Sequence, residues 1–138
     1  LMTALTNAAL SGVEVELFVS EQFDQFLVGH AQRSYYGPLL KAGVRIHLYR
    51  KPRMLHSKYM VVDGSLCFIG SSNMDVRSFG LNYEIVLVAD NPRLVEMLHG
   101  NDDRTREKSR ELTYEEWRGL PWHVHYIDNV CRLGSSLL

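Results

Sequence analysis

Apolar and polar positions along the chain follow a helical period in some stretches and a period of two in others. Met2 to Leu10 is rich in strong helix formers and stops at Ser11-Gly12, a fitting helix end. Val13-Glu14-Val15-Glu16-Leu17-Phe18-Val19 alternates and then turns wholly apolar, as a strand entering a core does. Ser20 is placed to cap a helix running from Glu21 or Gln22 towards Lys41, closed by Ala42-Gly43, with Gly37-Pro38 as an interruption or restart. Val44 to Tyr49 returns to period two.

Lys51-Pro52-Arg53 predicts a loop. Strands are expected from Ser57 to Val62 and from Leu66 to Ile69, joined by Asp63-Gly64, a strong hairpin signal. Leu81 to Ala89 is a long β-prone run. Asn91-Pro92 opens a helix expected to reach into the charged stretch Asn101 to Glu111, although Gly100-Asn101-Asp102-Asp103 breaks its apolar face. Trp122, Tyr126, Ile127, Val130, Leu133 and Leu137 share one face at helical spacing. The order α-β-α-β-β-β-α-α predicts an α/β (mixed α+β) fold, a mixed β-sheet flanked by helices, as one domain over residues 1–138.

Composition narrows the function classes. A chain of 138 residues can bury a stable core. Its formal net charge of −1 gives no global attraction to nucleic acid or anionic lipid, so phosphate binding must be local. Cys67 and Cys131 have no metal spacing; Cys67, inside Leu66-Cys67-Phe68-Ile69, reads as a buried free thiol, and a reducing compartment fits. No stretch approaches the roughly 18 apolar residues of a membrane span. The chain opens at Leu1, already in helical pattern and without a basic-then-apolar leader, as a soluble piece of a longer protein would.

One run carries chemistry: His56-Ser57-Lys58, then Asp63, then Gly70-Ser71-Ser72-Asn73. Residues two apart on a strand face the same side, so His56 and Lys58 are expected to project together from a strand's beginning. The Asp63-Gly64 turn brings the chain back, delivering Ser71 and Asn73 to the same end of the sheet. Phosphodiester chemistry needs such a set, because anionic oxygens shield phosphorus. A neutral imidazole can attack in line, leaving a phospho-histidine. Lys58 and Asn73, helped by Ser71 through side chain or backbone, can hold the non-bridging oxygens. These groups require no metal or other cofactor, and no carboxylate cluster is present in the sequence to hold a metal. The second imidazole nitrogen needs a carboxylate to fix its tautomer. Glu84 is the candidate, whereas Asp63 sits at the hairpin's far end.

The pattern HxKxxxxDxxxxxxGSxN, complete in His56, Lys58, Asp63, Gly70, Ser71 and Asn73, resembles the signature of the phospholipase D superfamily. The flanks Asp75-Val76-Arg77-Ser78-Phe79, Leu81-Asn82-Tyr83-Glu84, Ser109-Arg110-Glu111-Leu112-Thr113 and Glu115-Glu116-Trp117 are similar to the second-signature half of bacterial-type cardiolipin synthases. The resemblance implies a phospholipase D-like half-domain and a phosphatidyltransferase making cardiolipin and glycerol from two phosphatidylglycerols. It implies two pseudo-symmetric halves, each supplying one histidine to a shared phosphate, and a cytoplasmic, membrane-associated parent. The partner of this chain is then the upstream half of the same protein, or a second copy. His56 falls on the acid/base side of that scheme, with the nucleophile role left open. The family's aspartate is mainly structural, which ranks Asp63 below His56, Lys58, Ser71, Asn73 and Glu84.

Other residues divide between function and decoration. Arg77 is placed either to bind a lipid phosphate or to pair with Asp75 or Glu84, and Asn82 is a second candidate for substrate binding. His30, His47 and His99 show no supporting neighbours in sequence. His123 and His125, two apart on a helix, diverge and make a poor metal pair. The Trp122 stripe suits packing on the sheet or on a missing half, or a membrane surface. The charged run 101–111 reads as a solvated helix face. A homodimeric nuclease of the same chemistry is the competing class, but it calls for a basic groove that this composition lacks, so no nucleic acid is expected. The chain alone is also expected to be inert if one histidine must serve both sides of the phosphate.

Overall fold

A computed structural model describes residues 2–23, 25–73, 78, 80 and 82–134. The chain divides into two compact units, Leu1–Leu55 with Ser109–Leu138, and His56–Lys108. The fold class is the expected mixed α/β, but the described strands form two three-stranded sheets, one in each unit, instead of one.

In the first unit, β1 (Glu16–Ser20) pairs in parallel with β2 (Arg45–Tyr49), which pairs antiparallel with β6 (Ser109–Leu112). Helix α1 (Met2–Leu10) ends in a Schellman motif: Gly12 N–H donates to Ala9 O and Val13 N–H to Ala8 O. Val13 is thereby committed to the cap, and the strand starts three residues later than the alternation predicts. The expected helix from 21 to 41 is two helices, α2 (Phe26–Arg33) and α3 (Tyr36–Lys41). The break falls at Ser34-Tyr35, where the Ser34 hydroxyl donates to Ala31 O, and Pro38 lies within the first turn of α3. Ser20 does not cap α2; its hydroxyl accepts from Leu55 N–H at 2.8 Å instead.

A second Schellman motif closes α3, with Val44 N–H donating to Leu39 O and Gly43 N–H to Leu40 O. Leu39 and Val44 then enter a buried cluster with Tyr36, Ile46, Leu48 and Leu112. Each fully buried aliphatic side chain there contributes roughly 1.5–3 kcal/mol. The cluster explains why 109–112 is a strand and not the end of the charged helix: Leu112 stands opposite Ile46 and completes the core.

Helices α5 (Tyr114–Arg118) and α6 (Trp122–Leu133) follow. The face of α6 expected to pack on the sheet or on a missing half is exposed at Trp122 (79%), Tyr126 (64%) and Leu133 (83%). Asp128 and Cys131 are buried instead. Arg33 of α2 grips the Asp128 carboxylate through both oxygens at 2.8 Å, and His30 Nδ1 lies 2.6 Å from it. A buried charge is tolerable only when paired, so this network dictates which face of α6 turns inward. His30 therefore has the partners its sequence neighbours did not reveal. His47, also buried, stacks on Phe18 with ring centroids 4.8 Å apart.

In the second unit, β3 (Tyr59–Val62), β4 (Leu66–Gly70) and β5 (Val86–Asp90) form an antiparallel sheet in that order. Asp63 and Gly64 both have positive φ, 52° and 63°, as the predicted tight hairpin turn requires. Helix α4 (Pro92–Glu107) starts at Asn91, whose side chain accepts from Leu94 N–H, and runs through Gly100 without a break. Cys67 is fully buried, as expected, with its thiol donating to Ala89 O. No helix among the described residues is long and apolar enough to cross a membrane.

Candidate active site

The candidate site residues that the structure describes all lie in the second unit, and all but Asp63 fall towards the end of the sheet opposite the Asp63-Gly64 turn. The regular strand begins at Tyr59, so His56 and Lys58 precede it, although Gly70 N–H donates to Lys58 O at 3.1 Å and carries the ladder one pair further. On the other side of β4, Ser71 N–H donates to Ile85 O. Three chain segments are thus tied side by side at one sheet end.

Gly70 is what lets them approach. A Cβ at this position would stand 2.1 Å from the Ile85 carbonyl oxygen, inside any van der Waals contact, and that oxygen belongs to backbone that cannot swing away. This supplies a packing reason for the glycine of the pattern.

The Lys58 ammonium donates to His56 O at 3.0 Å and lies 3.2 Å from His56 Nε2. An ammonium has only donors, so in this contact His56 Nε2 is the acceptor. Among the described residues two of the three Lys58 N–H bonds are used. Both residues lie at the surface, His56 exposed and Lys58 half-buried.

Ser71 is engaged differently from the sequence expectation. Its hydroxyl donates to the Glu84 carboxylate and accepts from Ile85 N–H, while its own N–H serves Ile85 O. Both of its donors are committed within the protein. Asn82 Nδ2 reaches the other Glu84 oxygen at 3.5 Å, a marginal bond. The hydrogen bonds described for Glu84 therefore go to Ser71 and Asn82, whereas the described contact of the His56 ring is with Lys58. Asn73 is anchored through its backbone, its N–H donating to the buried Ser78 hydroxyl at 3.2 Å, and its exposed carboxamide has no partner among the described residues. Asp63 stands at the hairpin tip, separated from His56 by the length of β3. Arg77 lies outside the described residues.

Residues that the sequence did not single out hold this end in place. The Tyr59 hydroxyl, directly after Lys58, donates to Asp102 at 2.6 Å and accepts from Asn101 at 2.8 Å, fastening β3 to α4. Burial first, then the Asp102 carboxylate, pushes the Tyr59 phenol up to about 12, with Asn101 opposing. The start of the charged run is thus an anchor and not a solvated face. The available signal was the Gly100-Asn101-Asp102 interruption of an apolar stripe beside a tyrosine adjoining the motif.

A family profile described as the cardiolipin synthase phospholipase D-like domain matches residues 1–103. The chain belongs to this phospholipase D-like family. Relatives include cardiolipin synthases of Halalkalibacterium halodurans, 38% identical, and Geobacillus kaustophilus, 40% identical, and a cardiolipin synthase A of Serratia proteamaculans, 40% identical. Each alignment covers all of this chain but only 27% or 28% of the relative, so the phospholipase D-like chain spans about a quarter of their length. The crystal structure of a phospholipase D family member, Nuc from Salmonella typhimurium, shares the fold with a TM-score of 0.69 at 22% identity, covering 81% of this chain and 72% of that one.

Proposed function

We propose that this chain supplies one half of the active site of a cardiolipin synthase-like phosphatidyltransferase. The observation that carries the reading is the His56 imidazole held against the Lys58 ammonium at the sheet end where Gly70 N–H meets Lys58 O, three residues before Asn73, whose exposed carboxamide has no partner among the described residues. In the reaction, one histidine attacks the phosphorus of phosphatidylglycerol, forming a P–N bond as the P–O bond to glycerol breaks. The opposing histidine gives its proton to the departing glycerol oxygen. A hydroxyl of a second phosphatidylglycerol then attacks the phospho-histidine, returning its proton to the same base and forming cardiolipin. His56 is one of the two histidines; the other comes from the remaining length of the parent protein or from a second copy of this chain. Lys58 and Asn73 hold the phosphate oxygens, and no cofactor enters. Ser71 is a positioning residue that holds Glu84, and Asp63 serves the hairpin turn. Arg77 and Asn82 are assigned to substrate binding. The chain's two units act together as this half.

Product analysis by mass spectrometry, with the parent protein fed phosphatidylglycerol, tests the reading. Cardiolipin and glycerol are expected, and Lys58→Ala should lower turnover by roughly 10²-fold or more in a folded protein. Phosphatidic acid alone would point to hydrolysis, and near-normal turnover in the folded variant would remove Lys58 from the chemistry.

A further inference from the structure

The first unit carries a cationic loop that the proposed chemistry does not use. Arg50, Lys51 and Arg53 occur within four residues of a chain whose net charge is −1, and all three are exposed. Pro52 lies among them, and Met54 follows with 45% of its surface open to solvent. In sequence the loop runs directly into His56.

This loop is pinned at both ends. Where it leaves β2, Glu21 N–H donates to Tyr49 O at 3.0 Å, and Lys51 N–H reaches the Glu21 carboxylate at 3.5 Å. Where it returns, Leu55 N–H donates to the Ser20 hydroxyl at 2.8 Å, and that hydroxyl donates back to Leu55 O at 3.4 Å. Residues 50–54 therefore stand out at the carboxyl ends of the parallel pair β1 and β2, between two fixed feet. The neighbouring carboxylate, Glu21, is bound first by Arg110, whose Nε donates to it at 2.8 Å and holds its carboxyl below the usual range, with Lys51 contributing less. Among the described residues neither Arg50 nor Arg53 has an ion pair or a side-chain hydrogen bond.

We propose that residues 50–54 are the surface on which this protein docks to an anionic phospholipid bilayer. The occupant follows from chemistry. Arginine matches phosphodiester oxygens with a fixed fork of donors, and three cations gathered on one short loop read a dense anionic surface. Met54 gives the same loop an apolar side chain that can enter the headgroup boundary, which a nucleic-acid backbone does not need. A preordered loop also loses little conformational entropy on docking. The inference rests on the phospholipid reading above, which it deepens by naming the surface that brings the protein to its substrate.

Vesicle co-sedimentation tests it. The chain should bind phosphatidylglycerol-containing vesicles, weaken as salt rises, and ignore phosphatidylcholine vesicles. Free inorganic phosphate at constant ionic strength should not displace it. The triple variant Arg50→Ala, Lys51→Ala, Arg53→Ala should lose on the order of 10²-fold in binding, and Met54→Ser should lose a few-fold by itself. Unchanged vesicle binding by the triple variant, displacement by inorganic phosphate, or tighter binding to a DNA oligonucleotide than to vesicles would each overturn the assignment. Circular dichroism checks that the triple variant is folded, and Arg50→Lys with Arg53→Lys, which keeps the charge, should restore most of the binding. Vesicle binding by a parent protein that makes no cardiolipin would sink the proposed reaction and leave the loop intact. Phosphatidyl transfer with binding indifferent to the loop would do the reverse.

Discussion

The two units of this chain are built on different principles. The first has a conventional core, with Leu39, Ile46, Val44 and Leu112 buried around one sheet face and Asp128 buried but doubly gripped by Arg33. In the second, the apolar side chains buried among the described residues are Cys67 and Val95, and Val86, Leu87 and Val88 of β5 are exposed. What holds the second unit is specific rather than bulky: a close backbone approach at Gly70, a two-residue left-handed turn, and the bonds of Tyr59 to Asp102 and Asn101. The unit that carries the proposed chemistry is the one with the thinner core. On the proposed reading an imidazole and an ammonium meet a lipid phosphate and cannot be packed away, so their positions depend on hydrogen bonds and steric fit.

Perturbing each unit at its own kind of support sharpens this contrast. Asp128→Ala should have the largest effect, destabilising the first unit by roughly 3–5 kcal/mol, because Arg33 and His30 lose their buried counter-charge. Urea unfolding measures it, and a loss below about 1 kcal/mol would show that the network is solvated in practice. Gly70→Ala should cost about 1–3 kcal/mol through the clash with Ile85 O and should also lower activity, since Ser71 and Glu84 move with the strand. Full activity would mean that the sheet end does not position the site.

Tyr59→Phe has the smallest predicted cost, about 1 kcal/mol below pH 10, from the bonds to Asp102 and Asn101. Its sharper readout is pH dependence. The folded phenol is raised from 10 to about 12, so its protonated form contributes stability that is fully present below pH 10 and is lost as the pH rises through about 12. The phenol of Tyr36 in the first unit is also raised, by burial, with the same sign. Alkaline unfolding of the wild type should therefore lose two contributions and that of Tyr59→Phe only one. Superimposable alkaline profiles would show that Tyr59 does not anchor β3 in solution.

Much of the second unit was legible in the chain. Asp63-Gly64 specified the hairpin because few residues accept positive φ in succession, and the two-residue period on either side specified its strands. With the turn known, the meeting of Lys58 with Gly70 followed from antiparallel geometry. The commitment of Ser71 to Glu84 did not, since a hydroxyl's choice of acceptor depends on which carboxylate arrives within reach. In the first unit, periodicity missed a strand: the charged segment 109–112 pairs with β2 because Leu112 had a place opposite Ile46. The apolar stripe of α6, read as packing on the sheet or on a missing half, is exposed at Trp122, Tyr126 and Leu133, while Asp128 turns inward to Arg33 and His30.

By itself, the sequence determined what depends on neighbours along the chain: turns, the helix ends at Gly12 and Gly43, and the spacing of the His56, Lys58 and Asn73 groups. Tertiary structure decided what depends on partners far apart in sequence: the division into two sheets, the inward face of α6, and the anchoring of Tyr59 by α4. Local backbone preferences are encoded within a few residues. The desolvation cost of a buried charge or polar group is met only when the fold brings its partner to it.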